Sequence, residues 1–228
     1  MSPTVYINHN GILEKAESFE NLSTLAGWWF SCTASDIDGD GLMDFTLGNI
    51  GMNNKFHASK EKPLKVYGGD FDHNGSNDIV LSKLSKGKYV PARGRQCSSE
   101  QVPFVSDKYE NYESFASASI EEVYGDELNS AIMLEVTEFH SGILHNTGGG
   151  FEFIPFPNSA QISPVMGCYH YDFNKDGIQD ILIAGNHFDA EVETTRYDAG
   201  NGLLLLGKGD MEFDSQSVFH SGFYTPGN

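Results

Sequence analysis

The chain has 228 residues, of which 39% are hydrophobic and 12% aromatic, and it carries 25 glycines; that is enough for one sizeable core or two small ones. Its 32 acidic against 14 basic residues give a formal net charge of −18, a sign that repels a phosphate backbone and disfavours nucleic-acid binding. No apolar run reaches the roughly 18 residues of a membrane-spanning helix, so membrane insertion is not expected.

The opening stretch MSPTVYINHNG lacks a charged segment followed by an apolar one, so no signal peptide is expected. An exported protein with this beginning would have lost its leader or be part of a longer chain. VYINHNGILEKA then reads as strand, Asn-Gly turn, strand. The next feature is an acidic nine-residue segment, DIDGDGLMD, from Asp36 to Asp44, which runs into the apolar DFTLGN. The pattern returns as DFDHNGSND, Asp70 to Asp78, running into DIVLSK. After it, KGKYVPARGRQCSSEQVPF reads as a loop that, with Lys83 just before it, gathers the clustered positive charge: Lys86, Lys88, Arg93 and Arg95. SDKYENYESFASASIEEVYG follows, with Tyr109, Tyr112, Phe115, Ala116, Ile120 and Val123 spaced by three and four. That spacing predicts one or two short helices capped by Ser106 or Asp107, so residues 85–128 are expected to form a loop and helix insertion. ILHNTGGGFEFIPF is a second hairpin. A third acidic segment, DFNKDGIQD, Asp172 to Asp180, opens DILIAGN, and LLLLGKGDMEF is a third hairpin. The order is hairpin, approach segment, acidic loop, strand, which suits the blade of a β-propeller.

The three acidic segments align without gaps: Asp at position one, Asp or Asn at three and five, Gly at six and Asp at nine. Calcium takes six to eight oxygen ligands, and alternate residues of a tight loop can aim their oxygens at one point. The glycine permits the sharp turn. The expected ligands are Asp36, Asp38, Asp40, Asp44 and the Leu42 carbonyl in the first loop. In the second they are Asp70, Asp72, Asn74, Asp78 and the Ser76 carbonyl. In the third they are Asp172, Asn174, Asp176, Asp180 and the Ile178 carbonyl. An EF-hand would place Glu at position twelve and continue as a helix. Here position twelve is Leu47, Leu81 and Ile183, and strands are expected.

Acidic loops that open strands, interleaved with hairpins such as Asn146 to Phe151, resemble FG-GAP or VCBS repeats. The stretch from Asp172 through LLLLGKG resembles VCBS-repeat proteins of the cartilage acidic protein and ASPIC/UnbV group. The resemblance implies a mainly all-β, calcium-stabilised propeller holding about three Ca2+ ions. It also implies an extracellular, periplasmic or cell-surface place and a protein or glycan ligand. On this reading residues 1–228 form one propeller-type domain of about four blades, with 85–128 as an insertion. The loops begin at residues 36, 70 and 172, whereas a blade takes about 40–50 residues. An abbreviated blade, then a hidden blade or an insertion, is therefore expected, and missing sequence, an atypical closure or a partner subunit would complete the ring.

Arg93, Arg95 and Arg196 are candidate contacts for a carboxylate or sulfate group; ion pairs within the protein are the other reading, with Glu193, Tyr197 and Asp198 near Arg196. Cys32, Cys97 and Cys168 form no CxxC pair and are expected to be small buried residues, with one disulfide open. The eight histidines form no HExxH, and neither a GxSxG elbow nor a P-loop is present. The carboxylate pairs sit in the acidic loops, where a bound cation would favour their charged form and make them poor general acids. A non-enzymatic binding or adhesion module is expected; the alternatives are a carbohydrate-active lyase or dehydratase on a propeller, or a structural segment of a larger surface protein.

Overall fold

A computed structural model describes residues 1–190 and 194–227. It is mainly β: the described residues form one two-stranded and three four-stranded antiparallel sheets, none closed on itself. The chain divides into two compact units rather than the single domain expected. One is residues 56–137, with Met1 counted in it; the other is residues 2–55 together with 138–228. The inserted unit is thus wider than the 85–128 segment expected from sequence.

The flanking unit begins with a hairpin of β1 (Tyr6–His9) and β2 (Ile12–Lys15). Its turn residues Asn10 and Gly11 have φ of 54° and 94°, the positive pair that a type I′ turn requires. β3 (Ser31–Ser35) and β4 (Asp44–Gly48) then flank the first acidic loop.

In the inserted unit, β5 (Leu64–Gly69) and β6 (Asp78–Ser85) flank the second loop, and β7 (Lys88–Pro91) pairs with β6. The β6–β7 turn is Lys86-Gly87, with φ of 50° and 84°, so the stretch read as a loop contains a strand. Five short helices follow: α1 (Arg95–Gln101), α2 (Phe104–Lys108), α3 (Tyr112–Ser117), α4 (Ile120–Tyr124) and α5 (Glu127–Ser130). Ser106 and Asp107 lie inside α2 and cap nothing. The caps are Asn111, whose side chain accepts from the Ser114 N–H, and Ser119, which forms a reciprocal capping box with Glu122. The helices lay Val102, Val105, Phe115, Ala118, Ile120, Val123 and Tyr124 against Tyr67, Phe71 and Val80. Tyr112 and Ala116, expected on the buried face, are exposed, because each helix ends before the three-and-four spacing can run on. β8 (Ile132–Val136) pairs with β5, giving the order β7-β6-β5-β8.

The chain then completes the sheet it had left. β9 (Gly142–Asn146) pairs with β4, and β10 (Phe151–Pro155) with β9, giving β10-β9-β4-β3. The last sheet is contiguous: β11 (Gly167–Tyr171), β12 (Asp180–Ala184), β13 (Leu203–Gly207) and β14 (Phe213–Gln216), with the third acidic loop between β11 and β12. A one-turn helix α6 (Val218–Ser221) follows. Among the described residues there are three four-stranded sheets. The long interval between the second and third loops holds the helices, β8, and the strands that finish the first sheet.

Among the described residues, the flanking unit shows two hydrophobic clusters. Ile143, Ile181 and Leu205, each fully buried, join Ile37, Phe156, Val165 and Ile183 in one. Leu22, Leu25, Leu47, Leu144 and Phe151 form the other. In β12 the alternation of a strand sends Ile181 and Ile183 to the same side. Each such side chain contributes about 1.5–3 kcal/mol by leaving water. Buried at these positions, the strands hold both ends of the acidic loops in register.

Candidate metal centres

All three acidic loops have one backbone conformation. Position six has φ of 88° in Gly41, Gly75 and Gly177 alike, and position four is also left-handed: 79° in Gly39, 59° in His73, 63° in Lys175. A side chain at position six would meet no atom within 4 Å in any loop, so glycine is required there by its backbone angle and not by crowding. Position one then accepts from the loop it encloses: Asp36 from the N–H groups of Gly39 and Gly41, Asp70 from those of Asn74 and Gly75, Asp172 from those of Asp176 and Gly177.

The loop therefore aims positions one, three and five inward. Carboxylate oxygens of Asp36, Asp38 and Asp40 lie within 4.8 Å of one another, and so do those of Asp70, Asp72 and Asp78. In the second and third loops an Asn amide takes part: Asn74 Nδ2 donates to Asp72 at 3.0 Å, and Asn174 Nδ2 to Asp176 at 2.7 Å. The position-seven carbonyls of Leu42, Ser76 and Ile178 accept no hydrogen bond among the described residues. The donor set is oxygen only and partly exposed, with these carbonyls uncommitted; it fits a hard divalent cation such as calcium.

Position nine stands apart. Asp44, Asp78 and Asp180 are all buried. One oxygen of each accepts from the position-two N–H, of Ile37, Phe71 and Phe173, at 2.8 to 3.1 Å. The other oxygen is also engaged. Asp44 Oδ1 accepts from the Asn146 N–H at 2.8 Å and lies 3.1 Å from His145 Nδ1, and Asp180 Oδ1 accepts from the Gly207 N–H at 2.8 Å. Asp78 Oδ1 accepts from Gln101 Nε2 at 3.3 Å. These residues close the loop onto its sheet, and of the three only Asp78 belongs to a converging carboxylate group. A polar cleft of about 600 Å3 in the flanking unit is lined by the first and third loops together with Asp210 and Glu212.

The arginines offered as ligand contacts serve the protein's own structure. Arg93 Nη1 donates to Gln101 Oε1 at 3.1 Å. Arg95 donates to the carbonyls of Tyr109 and Ser106, binding α1 to the end of α2. Arg196 pairs with Asp198 at 3.0 Å and stacks toward Phe188; Glu193 lies outside the described residues. Arg95 and Arg196 belong to different units, and each is engaged within its own.

Cys97 is buried, Cys168 is half-buried and Cys32 is exposed, so the expectation of three buried thiols fails at Cys32; no disulfide joins them. Sequence reasoning missed the Glu138–His140 pair, in which Glu138 Oε1 lies 2.6 Å from His140 Nδ1 and accepts the N–H groups of Phe139 and His140. Burial alone would raise the Glu138 carboxyl, but these donors hold it below its ordinary value. Comparison with protein-family models, with curated proteins and with solved structures found no match to this chain.

Proposed function

We propose that the chain is a calcium-binding module of β-propeller type that works outside the cytoplasm and binds a protein or glycan at a cell surface, without catalysis of its own. The observation that carries the reading is the convergence of Asp36, Asp38 and Asp40, and of Asp70, Asp72 and Asp78, on loops of one backbone conformation. Calcium in the first loop would draw on Asp36, Asp38, Asp40 and the Leu42 carbonyl. In the second it would draw on Asp70, Asp72, Asn74, Asp78 and the Ser76 carbonyl, and in the third on Asp172, Asn174, Asp176 and the Ile178 carbonyl. Bound calcium would neutralise carboxylates and pin the loops as rigid edges.

The propeller reading is supported by strand order. Two sheets of the flanking unit run strand, acidic loop, strand, strand, strand from one edge to the other, and their first strands β3 and β11 lie side by side. The inserted unit repeats the first three steps with β5, β6 and β7 and adds β8 beside β5. Further blades or a partner subunit would close the ring. Extracellular calcium modules bind at about 0.1–1 mM, which supports the location.

Calorimetric titration of chelator-treated protein with calcium, with melting followed in parallel, tests the reading. About three sites are expected, each adding about 2.7 kcal/mol of stability at 100 times its Kd. Neither heat nor stabilisation at several millimolar calcium would overturn it.

A further inference from the structure

We infer that the flanking unit carries a second binding site, independent of metal: a cavity of about 200 Å3 beside the last sheet that takes a small, neutral, mainly apolar molecule the size of one or two fused rings. Its apolar lining is Val165 and Ile183, which are buried, with Leu203 and the more exposed Ile162 and Val218 toward the rim. Its lip carries Asn201, Gln216 and Ser217, whose side chains make no hydrogen bond among the described residues and can meet a polar edge of the ligand. The chain has 32 acidic and 14 basic residues, yet none of the described lining residues is charged. That composition selects against ions, since an apolar lining offers a charge no compensating partner.

The cavity is built and is not slack packing. Ser163, buried at its wall, donates to the Gly185 carbonyl at 2.8 Å. Asn186, also buried, clamps Gly200 by accepting its N–H at 2.8 Å and donating to its carbonyl at 2.9 Å. A Cβ at Gly200 would fall 2.6 Å from the Gly185 carbonyl oxygen, so the wall approaches itself as closely as backbone allows. The pocket opens to solvent at its lip, and walls tied by buried hydrogen bonds keep its apolar lining from closing on itself, so an apolar guest would take that lining out of water.

The test is a titration of the chelator-treated protein with indole, followed by backbone NMR and repeated with tryptamine and indole-3-acetate. Indole is expected to move the amide signals of residues 162–165, 183–185 and 200–203, in calcium as in chelator, and both ions to bind at least about tenfold more weakly. Val218→Trp, at the half-buried rim, is expected to abolish the shifts by filling the space. Three results would each overturn the proposal: no shifts at those positions with indole at about 1 mM, ions binding as well as indole, or a folded Val218→Trp protein with unchanged affinity. Because the titration is read without calcium, its failure is distinct from failure of the calcium reading.

Discussion

The second acidic loop and the third share a backbone but are held to the protein differently. In the third, the outer oxygen of Asp180 accepts from Gly207, a main-chain N–H on the third strand of its own sheet. The first loop does the same through Asn146 on β9. In the second, the third strand β7 supplies no such donor; the outer oxygen of Asp78 instead meets a side-chain amide of helix α1, Gln101, at 3.3 Å. Asp78, held by the longer side-chain contact, joins a converging carboxylate group in its loop, whereas Asp44, held by a backbone N–H, does not join that of the first loop. A nine-residue pattern therefore sets the turn, while distant residues decide whether position nine serves fold or ion.

The largest expected effect tests that division directly. Asp180→Ala strips the buried Gly207 N–H and the part-buried Phe173 N–H of their charged acceptor, and is expected to cost about 3 kcal/mol in urea unfolding without calcium. Asp78→Ala removes one backbone acceptor and one weak contact and is expected to cost about 2 kcal/mol. With calcium the ranking should invert for the metal: Asp78→Ala should lose the second site, whereas any protein that folds with Asp180→Ala should keep a weakened third site. Equal costs, or loss of both sites alike, would erase the distinction between the loops.

What could be read in advance follows the reach of each interaction. The loops, the strands they open, and the Asn10-Gly11 turn are specified by residues within a few positions of one another. The partners of position nine are not: Asn146 lies far along the chain from Asp44, and nothing local in β4 announces that β9 will pair Leu144 with Phe45 after a whole unit has intervened. The Lys86-Gly87 hairpin was hidden because lysine is an uncommon left-handed residue, and the clustered charge around it read as a loop. Helix spacing showed that residues 109–123 were helical but not where they broke, which Asn111 and Ser119 decide by capping.

Alkali meets different groups in the two units: in the flanking unit burial pushes up the thiols of Cys32 and Cys168. Burial pushes up the phenols of Tyr67, Tyr89, Tyr109 and Tyr124, all in the inserted unit. Tyr124 is raised to about 12, with Asp78 adding to the shift while Ser98 and Arg93 oppose it. A raised phenol gives stability that is complete below pH 10 and is lost as pH climbs toward 12, about 2–3 kcal/mol for Tyr124. Hydrogen exchange between pH 9 and 11, corrected for intrinsic rates, should show the second loop loosening before the first and third, and Tyr124→Phe should delay it. Simultaneous loosening would mean the units unfold together.

Position six offers a smaller and more uniform test. Gly75→Ala and Gly177→Ala place a side chain at φ 88° with open space around it, so each is expected to cost about 1–2 kcal/mol from backbone conformation alone. Because the angle is the same in both loops, the costs should agree despite the different staples. A clear disagreement would show that the staple, not the turn, sets the loop's backbone.

Position four carries the smallest effect and the most specific one. His73 and Lys175 hold left-handed angles of 59° and 63° where the first loop has Gly39 at 79°. Glycine costs nothing there, whereas a side chain costs up to about 1–2 kcal/mol; against that, glycine loses more entropy on folding. Lys175→Gly is therefore expected to stabilise by about 0.5–1 kcal/mol. His73→Gly should gain less, because His73 Nε2 meets Glu127 Oε1 of α5 at 3.2 Å and that contact is lost. Chemical denaturation without calcium would separate the two. If His73→Gly gains as much as Lys175→Gly, the exposed His73–Glu127 contact contributes nothing, and the second loop is tied to its helices by Gln101 and by the packing of Phe71 on Tyr124.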